Sequence, residues 1–235
     1  MHAIVVISAP AAATAFRDGA ENDEAGRRSQ IVHAAAKVLG RQGYGATSLK
    51  DVAREAGVAP GLLHYYFESK EELLLEVVVA MERQLMADWQ EAIAGIDDPL
   101  ERIVAGLDHA EARCAERPES FHLMLDLYTA GLGSPALRVR CAELSSHLAD
   151  QIEVEVRRAL GPLPAYTLVS PHDLAATIAG AIDGIALAAL VTRQTAAARF
   201  HALKVLLLSL VVTAYVTAGQ PAPVARLGEM LSRHP

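Results

Sequence analysis

Residues 43–74 read GYGATSLKDVAREAGVAPGLLHYYFESKEELL, and this stretch decides the fold. Ser48 is followed three residues later by Asp51, a spacing that approximates a capping box and predicts the start of a helix. Apolar residues at helical spacing extend that helix over 49–56. Gly57 is expected to end it, because glycine takes the left-handed conformation after a helix without steric cost.

A second short helix is predicted to begin at Pro60, since proline is well suited to a first helical turn. Ser69 and Glu72 then cap a long helix, predicted from Lys70 to about Gly95. Two short helices joined by a tight turn that contains glycine predict a helix-turn-helix, with the second helix as the recognition helix. An ordinary helical hairpin with a solvated basic face would give the same pattern, and the local charge decides between the two.

Charge is unevenly distributed along the 235 residues, whose formal net charge is −7. Residues 1–26 carry one base and four acids, and residues 27–70 carry seven bases and three acids. Residues 71–235 carry 13 bases and 21 acids. A small basic block joined to a large acidic block predicts two domains with different partners. We therefore expect a flexible tail over 1–26, a DNA-binding domain over 27–70 and a second domain over 71–235.

The rest of the chain also has the pattern of helices. A first helix is expected to start near Arg27 and to stop at the glycines from Gly40 onward. Further helices are predicted over about 99–115, 118–130, 134–160, 170–193 and 195–218. No stretch alternates with a period of two over a useful length, so the expected fold class is all-α, with a three-helix N-terminal domain and a C-terminal helical domain.

Composition excludes several classes of protein. Hydrophobic residues make up 52% of the chain, which excludes a disordered protein. Its two cysteines, Cys114 and Cys141, provide neither a disulfide framework nor a metal-binding pair, so we expect a cytoplasmic protein without a metal or cofactor. The apolar run 205–218 is shorter than a membrane-spanning helix requires and favours a buried helix. No GxSxG, phosphate-binding loop or HExxH motif indicates an enzyme.

The segment from Arg28 to Leu74 resembles the DNA-binding domain of the TetR (tetracycline repressor-like) family of transcriptional regulators. The resemblance is carried by Gly43-Tyr44 with Thr47-Ser48, then Val52-Ala53 with Ala56-Gly57-Val58, then Gly61, Leu63, Tyr66-Phe67 and Ser69-Lys70-Glu71. It implies a DNA-binding head and a variable segment that binds a small ligand and forms a dimer. His64 and Leu62 depart from the residues frequent at their positions, so the operator sequence does not follow from the resemblance.

Phosphates supply affinity for DNA, whereas base edges supply sequence specificity. Helix starts, hydroxyls and lysines suit phosphate contacts, Gly61 permits close approach of the backbone, and His64 suits a base edge. Leu62 suits a thymine methyl group, and Tyr65 and Lys70 resemble phosphate contacts of the family. The predicted DNA-binding residues are Thr47, Ser48, Lys50, Pro60, Gly61, Leu62, His64, Tyr65 and Lys70.

A mostly apolar ligand cavity is expected within residues 80–160, where methionine and aromatic residues recur. The candidate lining residues are Met86, Trp89, Ile93, His109, Phe121, Met124, Leu125 and Tyr128. Such side chains also fill ordinary helical cores, so a plain core is the alternative. The predicted effector is a small hydrophobic or amphipathic molecule.

A homodimer is expected through the helices at about 172–192 and 197–218, whose faces are almost continuously apolar. Two-fold symmetry would pair with a palindromic operator in double-stranded DNA. The favoured function is a ligand-responsive repressor. There are two rival interpretations: a structural helical protein with a degenerate helix-turn-helix, and an enzyme in the acidic domain. The basic residues Lys50, Arg54 and Lys70 argue against a structural protein.

Overall fold

The computed structural model describes residues 11–161, 163 and 169–233, with side chains from Glu24 onward. These residues form helices and no strand, which confirms the all-α prediction. The helices are α1 (Ala11–Gln42), α2 (Leu49–Ala56), α3 (Pro60–Tyr66), α4 (Lys70–Ala92), α5 (Pro99–Glu116), α6 (Pro118–Gly133), α7 (Pro135–Leu160), α8 (Pro171–Thr192), α9 (Ala197–Thr217) and α10 (Val224–Arg233).

The turn of the helix-turn-helix forms as its sequence predicts. The Ser48 side chain accepts from the backbone N–H of Asp51, and the Asp51 carboxylate accepts from the backbone N–H of Ser48, so the capping box is complete. Gly57 ends α2 in the left-handed region, at φ 67°. Leu63 and Phe67 are fully buried against α1 and α2 and fix the angle at which α3 leaves the turn.

The first helix starts earlier than the sequence suggested. It begins at Ala11, whereas the expected start was near Arg27, and residues 1–10 lie outside the described residues. The alanine-rich segment between the two positions has high helix propensity, and extending a helix that is already nucleated is easy. The expected flexible tail over 1–26 is therefore helical from Ala11.

Two further boundaries differ from expectation. Helix α6 passes through Gly131 and ends at Gly133. A Cβ at Gly131 would lie 3.3 Å from the Cα of Arg138, so this glycine lets α6 and α7 pack closely rather than ending the helix. Helix α10 was not predicted. It starts just after Pro223 and buries Leu227 and Met230.

The two parts of the chain share a core. Residues of α1, α2, α3 and α4 pack in one cluster with Leu123 and Leu127 of α6 and Leu137 and Leu144 of α7. Helices α4 and α6 therefore belong both to the support of the helix-turn-helix and to the larger domain. A second cluster, built mainly by α5, α7, α8 and α9, forms the centre of that larger domain.

Helices α8 and α9 are the two described helices that are long and apolar enough to cross a membrane by length and composition, and buried residues make up 17% and 28% of their most apolar stretches. The predicted buried helix over 205–218 is part of α9. It is buried on one side, where Leu208, Val211 and Ala214 lie in the core, and exposed on the other. Lys204, on the buried side of α9, pairs with Asp108 and Glu111 of α5 and holds α9 against its own chain.

The apolar residues of α8 and α9 are divided between the chain's own core and an exposed side. Ile178 and Val211 are buried within their own chain. The exposed side carries Gly180, Gly184, Leu187 and Val191 on α8, and Val205, Leu206, Ser209 and Val216 on α9. A Cβ at Gly180 or Gly184 would meet no atom within 4 Å, so these glycines face open space in the single chain.

Candidate functional site: a helix-turn-helix head and an internal cavity

Seven of the nine predicted DNA-binding residues are exposed, on α2 and α3 and at the start of α2. They are Ser48, Lys50, Pro60, Gly61, Leu62, His64 and Tyr65, which we call the head surface. Tyr65 is 71% exposed although it is a large aromatic residue, and Leu62 is 38% exposed. Neither side chain is there to fill the core, which is the arrangement that a surface for contact with another molecule requires.

The other two predicted residues, Thr47 and Lys70, hold the loop between α1 and α2. The Thr47 hydroxyl is buried and donates to the carbonyl of Gly43 at 2.7 Å. The Lys70 ammonium donates to the carbonyls of Tyr44 (2.6 Å) and Thr47 (2.7 Å) and lies 4.0 Å from the centre of the Tyr44 ring. Burial lowers the pKa of Lys70. These contacts fix the loop in front of α2, and one ammonium proton of Lys70 remains for another partner.

Lys50 is the exposed cation of the head surface. It makes no hydrogen bond or ion pair with any described residue, whereas Arg54 is paired with Asp51 at 2.6 Å and Arg41 with Glu55 at 2.5 Å. Because Lys50 is not neutralised by a neighbour, its charge is available to a phosphate. It stands in the first turn of α2, where backbone N–H groups also favour an anion.

Arg28 of α1 has a structural role. Its guanidinium donates to the carbonyl of Tyr66 at 2.7 Å, pairs with Glu72 at 3.1 Å and stacks 4.4 Å above the Phe67 ring. It therefore joins α1 to the end of the recognition helix and to the start of α4. The spacing of the sequence gave no sign of this contact, which spans 38 residues.

A cavity lies inside the larger domain, walled by α4, α5, α6, α7 and α8. Its volume is about 80 Å³. Six of the eight predicted residues line it, namely Met86, Trp89, His109, Phe121, Met124 and Tyr128. Its walls are mainly apolar, as expected.

Two of the predicted lining residues do not reach the cavity. Ile93 is fully buried in the turn that ends α4, and its carbonyl accepts from Arg102. Leu125 lies at the edge of the α6 face formed by Phe121, Met124 and Tyr128, because each residue turns a helix by about 100°. The expected limits of the site were also too narrow, since Ala179, Ile182 and Asp183 of α8 line the cavity from outside residues 80–160.

The cavity contains polar groups that sequence reading did not select. Arg113 stacks 4.9 Å from the centre of the Phe121 ring, and Asp183 approaches from α8. The Nε2 atom of His109 is buried and has no hydrogen-bond partner among the described residues. The signal for Asp183 was present, because it is a charged residue in the middle of an otherwise apolar helix.

Burial sets the ionisation of these groups. It raises the pKa of Asp183 to about 6, against the opposing effect of the Arg113 charge. Burial also lowers the pKa of His109, an effect strengthened by Arg113, so its imidazole is neutral near pH 7. The pKa of Tyr128 is raised, chiefly by burial and secondarily by the charge of Asp183. The cavity wall thus carries one cation, one carboxylate and neutral polar groups.

Helix α6 connects the cavity wall to the helix-turn-helix directly. Opposite its cavity side, the His122 ring nitrogen Nδ1 lies 2.9 Å from the carbonyl oxygen of Gly40, near the end of α1. The Asp126 carboxylate accepts from the backbone N–H of Tyr44 at 2.7 Å. This is the loop that Lys70 holds from the other side, so α4 and α6 both fix its position.

One group of side chains has a spacing that could hold a metal ion. Asp150, Glu153 and His172 place ligand atoms within 4.8 Å of one another on the surface, a grouping that sequence spacing did not reveal. The Glu153 carboxylate is already occupied, by His172 at 2.8 Å and by Arg157. These contacts account for the group as a surface ion-pair cluster.

Comparisons with known proteins agree with this architecture. Residues 31–77 match the family model of bacterial regulatory proteins, tetR family. The HTH-type transcriptional regulator BetI of Agrobacterium fabrum is 30% identical over 162 residues, which cover 68% of this chain and 74% of that protein. BetI of Rhizobium meliloti is 31% identical over 159 residues, which cover 68% and 75%.

Solved structures show the same fold. A TetR-family transcriptional regulator from Rhodococcus sp. superposes with a TM-score of 0.68 at 22% identity, covering 79% of this chain and 98% of that one. A transcriptional regulator from Saccharomonospora viridis, solved in complex with choline, gives 0.66 at 20% identity, covering 78% and 94%.

A helix-turn-helix head joined to a helical domain with an internal cavity defines a DNA-binding transcriptional regulator, and not an enzyme. The chain belongs to the TetR family of bacterial regulatory proteins, as its identity with the BetI regulators over about three quarters of their length shows.

Proposed function

We propose that this regulator is a dimeric repressor that binds a palindromic operator and is released by a small hydrophobic or amphipathic effector. The observation that carries the proposal is that α4 and α6 each line the cavity and also contact the helix-turn-helix. A ligand that moves either helix would therefore move the head. The proposed location is the cytoplasm, where an operator is accessible.

The head surface supplies the contacts with DNA. Lys50 and the first turn of α2 contact phosphate, and His64 contacts a base edge, with Leu62 against a thymine methyl group. A Cβ added at Gly61 would meet no protein atom within 4 Å, so this position faces away from the protein. Because glycine has no side chain there, the recognition helix can approach the DNA closely. Thr47 and Lys70 position the loop that precedes α2, and the remaining proton of Lys70 is directed to phosphate.

The dimer forms through the exposed sides of α8 and α9. Pairing of these two helices with their copies in a second chain buries the apolar residues Leu187, Val191, Leu206 and Val216 and gives a four-helix seam. Gly180 and Gly184 allow close approach of the two copies of α8. Since each chain carries one head, the operator has two half-sites at least about one helical turn (~34–36 Å) apart.

Release of DNA follows from the spacing of the two heads. Helix α4 starts directly after the recognition helix and carries Leu85, Met86 and Trp89 into the cavity. A ligand beside Trp89 and Tyr128 shifts α4 and α6 and moves the heads away from the half-site spacing. The shift in DNA affinity cannot exceed the difference in ligand affinity between the two head spacings. The choline bound by the Saccharomonospora viridis regulator supports a small molecule as the effector.

The test is a screen of hydrophobic and amphipathic small molecules, choline included, against a duplex selected from random sequences. We expect compounds that raise the melting temperature and also weaken DNA binding. Compounds that raise the melting temperature without changing DNA affinity would contradict the switch. A monomeric mass at micromolar concentration would contradict the dimer.

A further inference from the structure

Asp183 is a carboxylate in an unusual place. It stands in the middle of α8, where it is the only charged residue beyond the first turn. It lines the cavity, and it makes no hydrogen bond or ion pair with any described residue. A half-buried carboxylate without an ion-pair partner is costly, and natural proteins seldom keep one without a functional reason.

Arg113 is the other charged side chain on the cavity wall. Its guanidinium lies on the Phe121 ring, burial lowers its pKa, and among the carboxylates Asp88 opposes that shift more than Asp183 does. Asp88 itself accepts from Gln84 at 2.6 Å and lies 3.5 Å from Arg117. Asp183 has only the charge of Arg113 acting on it, outside ion-pair distance.

The surroundings of Asp183 suit an organic cation. The cavity wall includes Trp89 and Tyr128, and the charge of Asp183 contributes to the raised pKa of Tyr128. Ring faces attract ammonium groups, and the attraction grows when water is excluded. Met124 and Ile182 supply apolar surface for the rest of the molecule.

We propose that Asp183, together with the ring faces of Trp89 and Tyr128, binds the positively charged ammonium group of the effector, whose apolar part lies against Met124 and Ile182. This assignment rests on the proposed function, since it takes the cavity to be the effector site. It narrows the effector from any hydrophobic or amphipathic molecule to cationic amphiphiles. Because Asp183 has a pKa of about 6, its carboxylate is ionised at pH 7.5 and available to such a ligand.

Three probes with the same six-carbon tail separate charge from shape. Hexyltrimethylammonium is cationic, 1-hexanol is neutral and hexanoate is anionic, and each is titrated calorimetrically into the full-length protein at pH 7.5. We expect the cation to bind at least tenfold more tightly than the alcohol and the anion to bind most weakly.

Two variants test the residue itself. Asp183→Asn should lower the affinity for hexyltrimethylammonium at least tenfold and leave the affinity for 1-hexanol unchanged. The matched control Asp150→Asn removes the same charge from an exposed position on α7 and should change neither affinity. Unchanged melting curves show that each variant is folded, and a more stable Asp183→Asn protein is equally usable.

The outcomes separate this assignment from the proposed function. If hexanoate binds most tightly, or if Asp183→Asn binds the cation as the unaltered protein does, the assignment is wrong while the cavity remains an effector site. If none of the three probes binds, the assignment is also wrong, and release of DNA by a compound from the wider screen tests the proposed function independently.

Discussion

The carboxylate of Asp126 accepts a hydrogen bond of 2.7 Å from the backbone N–H of Tyr44. This bond joins α6, whose other side walls the cavity, to the loop that leads into the helix-turn-helix. A Cβ at Gly43 would lie 2.9 Å from the same carboxylate, and Gly43 has a φ of +80°, so the loop is shaped to receive Asp126. The contact gives the cavity a route to the DNA-binding head that is separate from α4.

Asp126→Ala should therefore weaken the response to effector more than it weakens either binding step. Only one partly exposed hydrogen bond is lost, so the free energy of unfolding should fall by about 1 kcal/mol or less. Effector affinity and DNA affinity are measured separately, and then DNA affinity is measured with saturating effector. A variant that still releases DNA as completely as the unaltered protein would show that α4 alone transmits the signal.

Lys50→Ala should weaken binding to every duplex sequence, because it removes a phosphate contact rather than a base contact. The slope of the logarithm of affinity against the logarithm of salt concentration should flatten by about one unit. Arg138→Ala, which removes an exposed positive charge from α7, is the matched control and should leave the slope unchanged. Equal slopes for the two variants would remove Lys50 from the DNA interface.

Lys70→Ala should behave differently from Lys50→Ala. It removes the donor to two backbone carbonyls as well as a charge, so it should lower both DNA affinity and the melting temperature. Thermal melting beside a binding titration checks this. A variant with a normal melting temperature and a flattened salt slope would mean that Lys70 acts mainly as a phosphate contact.

Gly61→Ala tests close approach to DNA. The added methyl group meets no protein atom within 4 Å and alanine favours helix, so the fold should be at least as stable. If the recognition helix lies against the duplex at this position, DNA affinity should fall about tenfold, which corresponds to about 1.4 kcal/mol. Gly228→Ala in α10, equally free of contacts, should leave DNA binding unchanged, and an unaffected Gly61→Ala would place the interface elsewhere.

Asp183→Asn should stabilise the free protein in a pH-dependent way. Its pKa is about 6 in the folded state against 3.8 for an unperturbed aspartate, so the folded protein holds this proton more tightly than the unfolded chain. The cost of ionising Asp183 is absent below about pH 4, grows as the pH rises and is complete above about pH 6, where it reaches at most about 3 kcal/mol.

The difference in melting temperature between Asp183→Asn and the unaltered protein should therefore be positive at pH 7.5 and shrink toward pH 4. Of the groups facing Asp183, Arg113 stays charged over this range, and Cys114 and Tyr128 stay neutral because burial raises their pKa values. His109 is neutral at the upper end. A difference that is constant with pH would show that Asp183 does not titrate as described.

The helix-turn-helix was predictable because its signals are local. The capping box of Ser48 with Asp51, the left-handed Gly57 and the first-turn Pro60 each act within a few residues, and the structure has them all. The cavity was predictable only in part. The apolar and aromatic residues of the sequence indicated its walls. Arg113 and Asp183, however, lie on helices that are distant in sequence, and only packing brings them together.

Roles that depend on long-range contacts were misjudged for the same reason. The sequence gave no sign that Lys70 and Arg28 are hydrogen-bonded within the protein. Each donates to a backbone carbonyl of a segment 23 or more residues away. The sequence also could not divide the apolar residues of α8 and α9 between two sides. The structure buries Ile178 and Val211 in the chain's own core and leaves Leu187, Val191, Leu206 and Val216 exposed beside Gly180 and Gly184.

His64 is the residue on which sequence preference should depend. Replacing it by Ala should change which duplexes are selected from a random pool while leaving the salt slope nearly unchanged, since base contacts specify and phosphate contacts do not. Selection followed by sequencing of the bound duplexes measures this. An identical preferred sequence for both proteins would assign base recognition to another residue.

We propose above all that a ligand bound in the cavity lowers the affinity for DNA by changing the spacing of the two heads of the dimer. The most direct measurement follows a labelled, selected duplex by fluorescence anisotropy at fixed protein concentration while a ligand found by calorimetry to bind the cavity is added. The account predicts a complex of two chains per palindromic duplex that dissociates as the cavity fills. Saturation of the cavity with no change in anisotropy would contradict it.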